Sequence, residues 1–208
     1  MSAAVVLSSA VERICTGIAE RGIAAEPNFL PASAIASLAA HARQQDVAGE
    51  FHAAAIGRKA HRVEQPAIRG DRIAWLDEAD PSPAVQSAWR ALSELRLALN
   101  AALLLGLFAF EGHYAIYPRG AVYRRHRDRF RDDDARVLSC VLYLNRDWAA
   151  SDGGLLRIHI GGGERCEVLP IGGTLVCFLS EHFEHEVLAA TRERLALTGW
   201  FRRRALSA

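Results

Sequence analysis

From about Gly112 onward the chain breaks into about eight short β-rich runs, and no other feature narrows the possible folds as much. The runs are His113–Tyr117, Ala121–His126, Arg136–Leu144, Leu155–Ile160, Glu167–Leu169, Thr174–Leu179, Glu186–Ala189 and Leu195–Phe201. Turn signals separate them: Pro118-Arg119-Gly120, Ser151-Asp152-Gly153-Gly154, Gly161-Gly162-Gly163 and Gly172-Gly173. Short strands recurring at this spacing indicate a sandwich or barrel.

The first half reads as helical. A loose helical period runs from Ala4 to Glu20, and Pro31 suits the first turn of a second helix reaching about Gln45. Ser82 and Pro83 open a third helix as N-cap and early proline. Its apolar positions Val85, Trp89, Leu92, Leu95, Leu99 and Leu103 form one stripe, and Gly106 is expected to end it. Phe51–Asp80, containing Gly57-Arg58-Lys59 and Arg69-Gly70-Asp71, reads as a long exposed loop or hairpin. Helices first and strands later predict an α+β fold, a jelly roll of about eight strands buttressed by N-terminal helices.

At 208 residues the chain fits one domain, and a chain of this size buries about 70% of its unfolded surface without needing staples. Lys and Arg total 25 against 24 Asp and Glu, so the net charge of +1 provides no bulk field toward nucleic acid or a membrane. The four cysteines are widely spaced, with no C-x-x-C pair, and read as small buried hydrophobes in a reducing compartment. The N-terminus lacks a basic region before its apolar run, and Leu97–Phe110 is too short for a span of about 20 residues. The expected address is the cytoplasm.

His126-Arg127-Asp128 carries the chemistry. On a strand, residues i and i+2 share a face, so an H-x-D pair presents an imidazole and a carboxylate to one point inside a small barrel. A later histidine would complete a two-histidine, one-carboxylate facial triad with open metal positions. His182 and His185 are both candidates, and His185, which leads into the run EVLAA, is assigned. Nine residues on, Arg194 opens the last strand and could pair bidentately with a ligand carboxylate deep in the barrel. The arginines of Arg124–Asp134 alternate with aspartates and lack an aromatic stacking pattern, so they read as a solvated strand end.

The segments YPRGAVYRRHRDRF, RVLSCVLYLNRDW, DGGLLRI and HEVLAATRERLALTGWF resemble the iron(II)- and 2-oxoglutarate-dependent dioxygenases of the prolyl 4-hydroxylase type. IRGDRIAWLD, residues 68–77, resembles the oxygen-sensing prolyl hydroxylases that act on hypoxia-inducible factor and their bacterial relatives. The resemblance covers about residues 50–203 and implies a double-stranded β-helix, matching the jelly roll read from the strands. It implies one dioxygenase domain over 1–208, with a helical buttress over 1–110, a substrate hairpin at about 50–76 and a catalytic core over 111–203.

By resemblance, His126, Asp128 and His185 match the iron ligands, and Arg194 matches the partner of the distal 2-oxoglutarate carboxylate. Tyr117 and Tyr143 match tyrosines that hydrogen-bond the same co-substrate, and Thr198 lines that pocket. Trp75, Arg136 and Trp200 match positions around the substrate proline, with Asp71 an acidic residue there that can hold the arginine. Glu184 departs from the family by standing where a proline is common. The implied cofactors are Fe(2+), 2-oxoglutarate and O2, with ascorbate as reductant. The implied partner is a proline-containing protein or peptide, elongation factor Tu among the candidates, with no nucleic acid and no membrane. Two alternatives stand beside this reading: hydroxylation of a free amino acid or small metabolite, and a non-catalytic oxygen or 2-oxoglutarate sensor.

Overall fold

Two antiparallel sheets face one another, and three helices cover the outer side of the larger sheet. The computed structural model describes residues 3–55, 63–128 and 135–204. The helices are α1 (Ala3–Arg21), α2 (Ala32–Val47) and α3 (Pro83–Leu103). Strands β1 (Ile23–Glu26), β2 (His52–Ala53), β3 (Arg72–Trp75), β4 (Ala109–Tyr117), β5 (Tyr123–His126) and β6 (Arg136–Tyr143) are followed by five more. These are β7 (Leu156–Gly161), β8 (Glu164–Val168), β9 (Leu175–Leu179), β10 (Glu184–Val187) and β11 (Arg194–Arg202). The seven-stranded sheet has the order β1-β9-β6-β11-β4-β3-β2 and the four-stranded sheet β5-β10-β7-β8. This is a jelly roll with flanking helices, as expected.

Period-two alternation in the central strands decides what faces the helices and what faces the other sheet. Leu138, Cys140 and Leu142 of β6, and Leu195, Leu197 and Phe201 of β11, join Val11, Ile14, Leu92, Leu95 and Leu99 in the core beneath the helices. Val141 and Tyr143 of β6 and Ala196 of β11 join Ile158, Phe178 and Val187 in the core between the sheets. The same alternation turns Arg194, Thr198 and Trp200 of β11 toward the inter-sheet space, where they line a cavity. Gly199 lets β4 and β11 approach closely, because a Cβ there would collide with the Glu111 carbonyl and the Phe110 ring.

Several expected boundaries move. The α3 stripe is buried as read, but the helix stops at Leu103, and Leu104 takes the left-handed conformation (φ 53°) before Gly106 is reached. Asn100 causes the early stop: its side-chain amide binds both the N–H and the C=O of Leu107, at 2.8 Å each. Ser82 occupies the N-cap position but makes no side-chain cap hydrogen bond. β1 was not expected; it joins the sheet edge through β9. β10 begins at Glu184, so His185 lies inside the strand and does not merely lead into it. β2 pairs with β3, but β3 pairs onward with β4, so Ala54, Asp71, Ile73 and Ala74 are buried where a long exposed loop or hairpin was expected; Gly57-Arg58-Lys59, His61 and the run from Arg129 to Asp134 lie outside the described residues.

Candidate active site

β5 and β10 pair antiparallel with His126 directly opposite His185, bringing the two imidazole centroids to 4.2 Å. Asp128, two residues past His126, places Oδ1 3.6 Å from His126 Nε2 and Oδ2 3.5 Å from His185 Nε2. One ligand atom from each residue falls within 4.8 Å of the others, the one such group among the described residues. His126 Nδ1 lies 2.8 Å from the Arg124 carbonyl; donating there leaves the Nε2 lone pair facing the other two residues. Burial pushes His185 down to about 4 despite Asp128 beside it. Burial by itself would raise Asp128, but His185, His126 and a hydrogen bond from Ser139 outweigh it and hold the carboxyl well below its usual range. A neutral His185 beside an ionised Asp128 is the form of this pair that binds a divalent metal. His182 stays in the preceding turn, exposed and outside the group.

Arg194 enters the same cavity from β11, only 2% exposed, between the rings of Tyr117 and Tyr143, each 5.0 Å from its guanidinium carbon. Among the described residues it meets no carboxylate, and its Nε has no hydrogen-bond partner. A buried cation without a counter-charge costs several kcal/mol, so the site is built to receive an anion. Burial raises the Tyr117 and Tyr143 hydroxyls, keeping both protonated as donors. Tyr117 and Thr198 line the cavity of about 620 Å³, whereas Tyr143 sits behind Arg194 and is fully buried. A dicarboxylate beside a bound metal fits this donor set: Arg194 would hold one end, and the triad would hold the metal.

At the cavity mouth Trp75 is half exposed and meets the His113 ring edge-on at 4.9 Å, while Trp200 packs on the other side of His113 at 5.5 Å. Arg136 lies flat over Trp200, 3.5 Å from the ring centroid. Asp71 does not hold this arginine: its carboxylate is buried against Arg69 at 2.9 and 3.1 Å. Glu111 holds Arg136 instead, accepting from its Nε at 3.0 Å and from Arg202 at 2.8 Å. The reason is register, which sets Glu111 of β4 opposite Trp200 of β11. Sequence reasoning also missed His113 and Tyr123, whose ring stacks on His126 at 3.5 Å beneath Arg69. No local motif marks either residue; only pairing across strands does. Glu184 ties β10 to β5 by accepting from Arg125 at 2.8 Å.

Comparison with known proteins agrees with this geometry. Residues 112–202 match the family described as the 2OG-Fe(II) oxygenase superfamily. Human Egl nine homolog 1 is 33% identical over 143 residues, which cover 64% of this chain and 33% of that protein. The chain thus spans about a third of that curated relative's length. A solved Pseudomonas putida prolyl-4-hydroxylase is 46% identical with a TM-score of 0.83, over 96% of this chain and 100% of that one. A Trichoplax adhaerens prolyl hydroxylase, solved with a hypoxia inducible factor oxygen degradation domain peptide fragment, is 25% identical with a TM-score of 0.85 over 97% and 94%. A facing His/Asp/His group, a buried arginine awaiting an anion, and a full-length match to a prolyl-4-hydroxylase lead to one assignment: the chain belongs to the 2OG-Fe(II) oxygenase superfamily, within its prolyl hydroxylase type.

Proposed function

We propose that the protein is a protein prolyl 4-hydroxylase acting through His126, Asp128 and His185 as iron ligands, within one catalytic domain. The observation that carries the reading is the shared cavity, lined by the triad, by Arg194 (which meets no carboxylate among the described residues) and by Trp75, Arg136 and Trp200. Iron(II), when bound, supplies with oxygen and 2-oxoglutarate the oxidising chemistry that turns a prolyl C–H into C–OH, with succinate and carbon dioxide as co-products. Arg194 takes the distal carboxylate of 2-oxoglutarate through its guanidinium fork and the Tyr117 hydroxyl donates to the same molecule, while Tyr143, which does not line the cavity, packs its ring against Arg194. Thr198, on the same face of β11 as Arg194, bounds the space beside it. Trp75 and Trp200 supply apolar faces for a pyrrolidine ring, and Arg136, held against Trp200, closes one side. Ala55, Ile73 and Trp75, on and beside the paired β2 and β3, line the cavity, so this pair flanks the bound peptide.

A peptide complex of the Trichoplax adhaerens relative supports a polypeptide substrate for this site. Elongation factor Tu is the candidate to test, with ascorbate as the reductant sustaining turnover and the cytoplasm as the place of action; no helix among the described residues is long and apolar enough to cross a membrane. Incubation of proline-containing proteins with the enzyme, iron(II) and 2-oxoglutarate should add one oxygen to a proline, read by mass spectrometry. Succinate formation stimulated by a free amino acid, with no oxygen gained by any protein, would replace this reading with a small-metabolite hydroxylase.

A further inference from the structure

We infer that Ser139, itself held by Ser180, positions the Asp128 carboxylate for the metal; the inference rests on reading His126, Asp128 and His185 as the metal site. Asp128 lies beyond the end of β5, whose last residue is His126, so the ladder of the four-stranded sheet does not orient it. Its anchor comes from the opposite sheet. Ser139 Oγ, on β6 between β9 and β11, donates to Asp128 Oδ2 at 2.7 Å.

Ser139 is 2% exposed on a strand whose neighbours Leu138, Cys140 and Val141 are apolar. A hydroxyl in such a place is costly unless it is bonded. It has two partners, because Ser180 Oγ lies 2.8 Å from Ser139 Oγ. Ser139 has one hydroxyl hydrogen and donates it in the bond to the ionised carboxylate, so in the second bond Ser180 must donate to Ser139. Ser180 is fully buried, and its backbone N–H is fixed on the Val137 carbonyl at 3.0 Å. The relay therefore runs from the end of β9, through the central strand β6, to a carboxylate standing on the other sheet. Each donor polarises the next, strengthening the bond that ends on the anion. Oδ1 faces His126 and Oδ2 faces His185, so the Ser139 bond to Oδ2 fixes the plane of the carboxylate and with it the aim of the group at a metal beside the two imidazoles. Ser139 is a positioning residue: it acts through Asp128.

The test is a calorimetric titration of Mn(II) into the metal-free protein, with urea unfolding of each metal-free variant alongside. Groups that orient metal ligands are worth about 10–100-fold in affinity, so S139A should bind Mn(II) that much more weakly, while S139T, which keeps the hydroxyl, should stay within about threefold. S180A leaves Ser139 in place and should lose about threefold to tenfold. Unchanged affinity in S139A, or equal weakness in S139T and S139A, overturns the proposal, the latter by showing that packing and not the hydroxyl matters. If S139A does not fold, S180A carries the test, and an unchanged affinity there overturns it. If the unaltered protein binds no Mn(II), the reading of the triad falls and this inference falls with it. Binding by the unaltered protein, lost in H126A but kept in S139A, overturns only this inference.

Discussion

Arg194 shows what a single side chain contributes, because the fold buries its charge between two tyrosine rings and, among the described residues, against no carboxylate. Only the guanidinium fork can meet both oxygens of a carboxylate at once; a lysine offers a point charge. R194K should therefore raise the KM for 2-oxoglutarate about tenfold or more, seen in succinate formation across co-substrate concentrations. Glu111 acts at the other end of the cavity, where it pins Arg136 over Trp200. E111Q should raise the KM for peptide about threefold to tenfold, one charge-assisted contact's worth, and leave the KM for 2-oxoglutarate unmoved. A parallel rise in both constants would refute separate binding zones. These two residues differ in how legible they were. Arg194 stands at a fixed interval after His185 at the start of a readable strand, while Glu111 is one acidic residue among 24 and acquires its role only from its register against Trp200.

At the scale of elements, β11 is the organising strand, hydrogen-bonded to β4 on one side and β6 on the other. Its start is fixed by Asn145, buried just past β6, which accepts from the Leu195 N–H at 2.7 Å and donates to the Pro170 carbonyl at 2.8 Å. This side chain fastens the entry to β11 next to Arg194 and the turn before β9. N145A would strand two buried backbone groups, each costing about 1–3 kcal/mol, so unfolding stability should fall by about 2–6 kcal/mol in urea titration. A loss under about 1 kcal/mol would mean that water replaces the amide. Strands and helices were largely legible because burial on one face leaves a period of two or 3.6 in the sequence. β1 was not, since four residues, Ile23–Glu26, carry too little period to separate from a helix end. The stop of α3 at Leu103 was also hidden, because a side-chain clasp from Asn100, not the glycine, ends it.

The whole molecule keeps two imidazoles neutral inside its core, and that makes its stability depend on pH. His113 is pushed down to about 3 and His185 to about 4, both chiefly by burial, from an ordinary value of 6.5. A folded-state value below the unfolded one means that the unfolded chain binds more protons in between, so stability rises with pH across that window. The metal-free protein should lose on the order of a few kcal/mol as pH falls from 6.5 toward 4. Asp128, held well below the ordinary 3.8, adds its own loss only as pH drops below that value. Urea midpoints at about pH 7.5, 5.5 and 4.5 check this, and a flat profile would contradict it. The sequence by itself determined most of the strand succession, the helical stripe and the H-x-D pair, because each is written in residues close together along the chain. Only the tertiary structure decided that His185 faces His126, that Glu111 and not Asp71 holds Arg136, and that Ser139 reaches Asp128 from the other sheet. Those contacts join elements far apart in the chain, and the strand register and sheet-to-sheet packing that create them depend on burial over the whole molecule and leave no pattern in any local stretch.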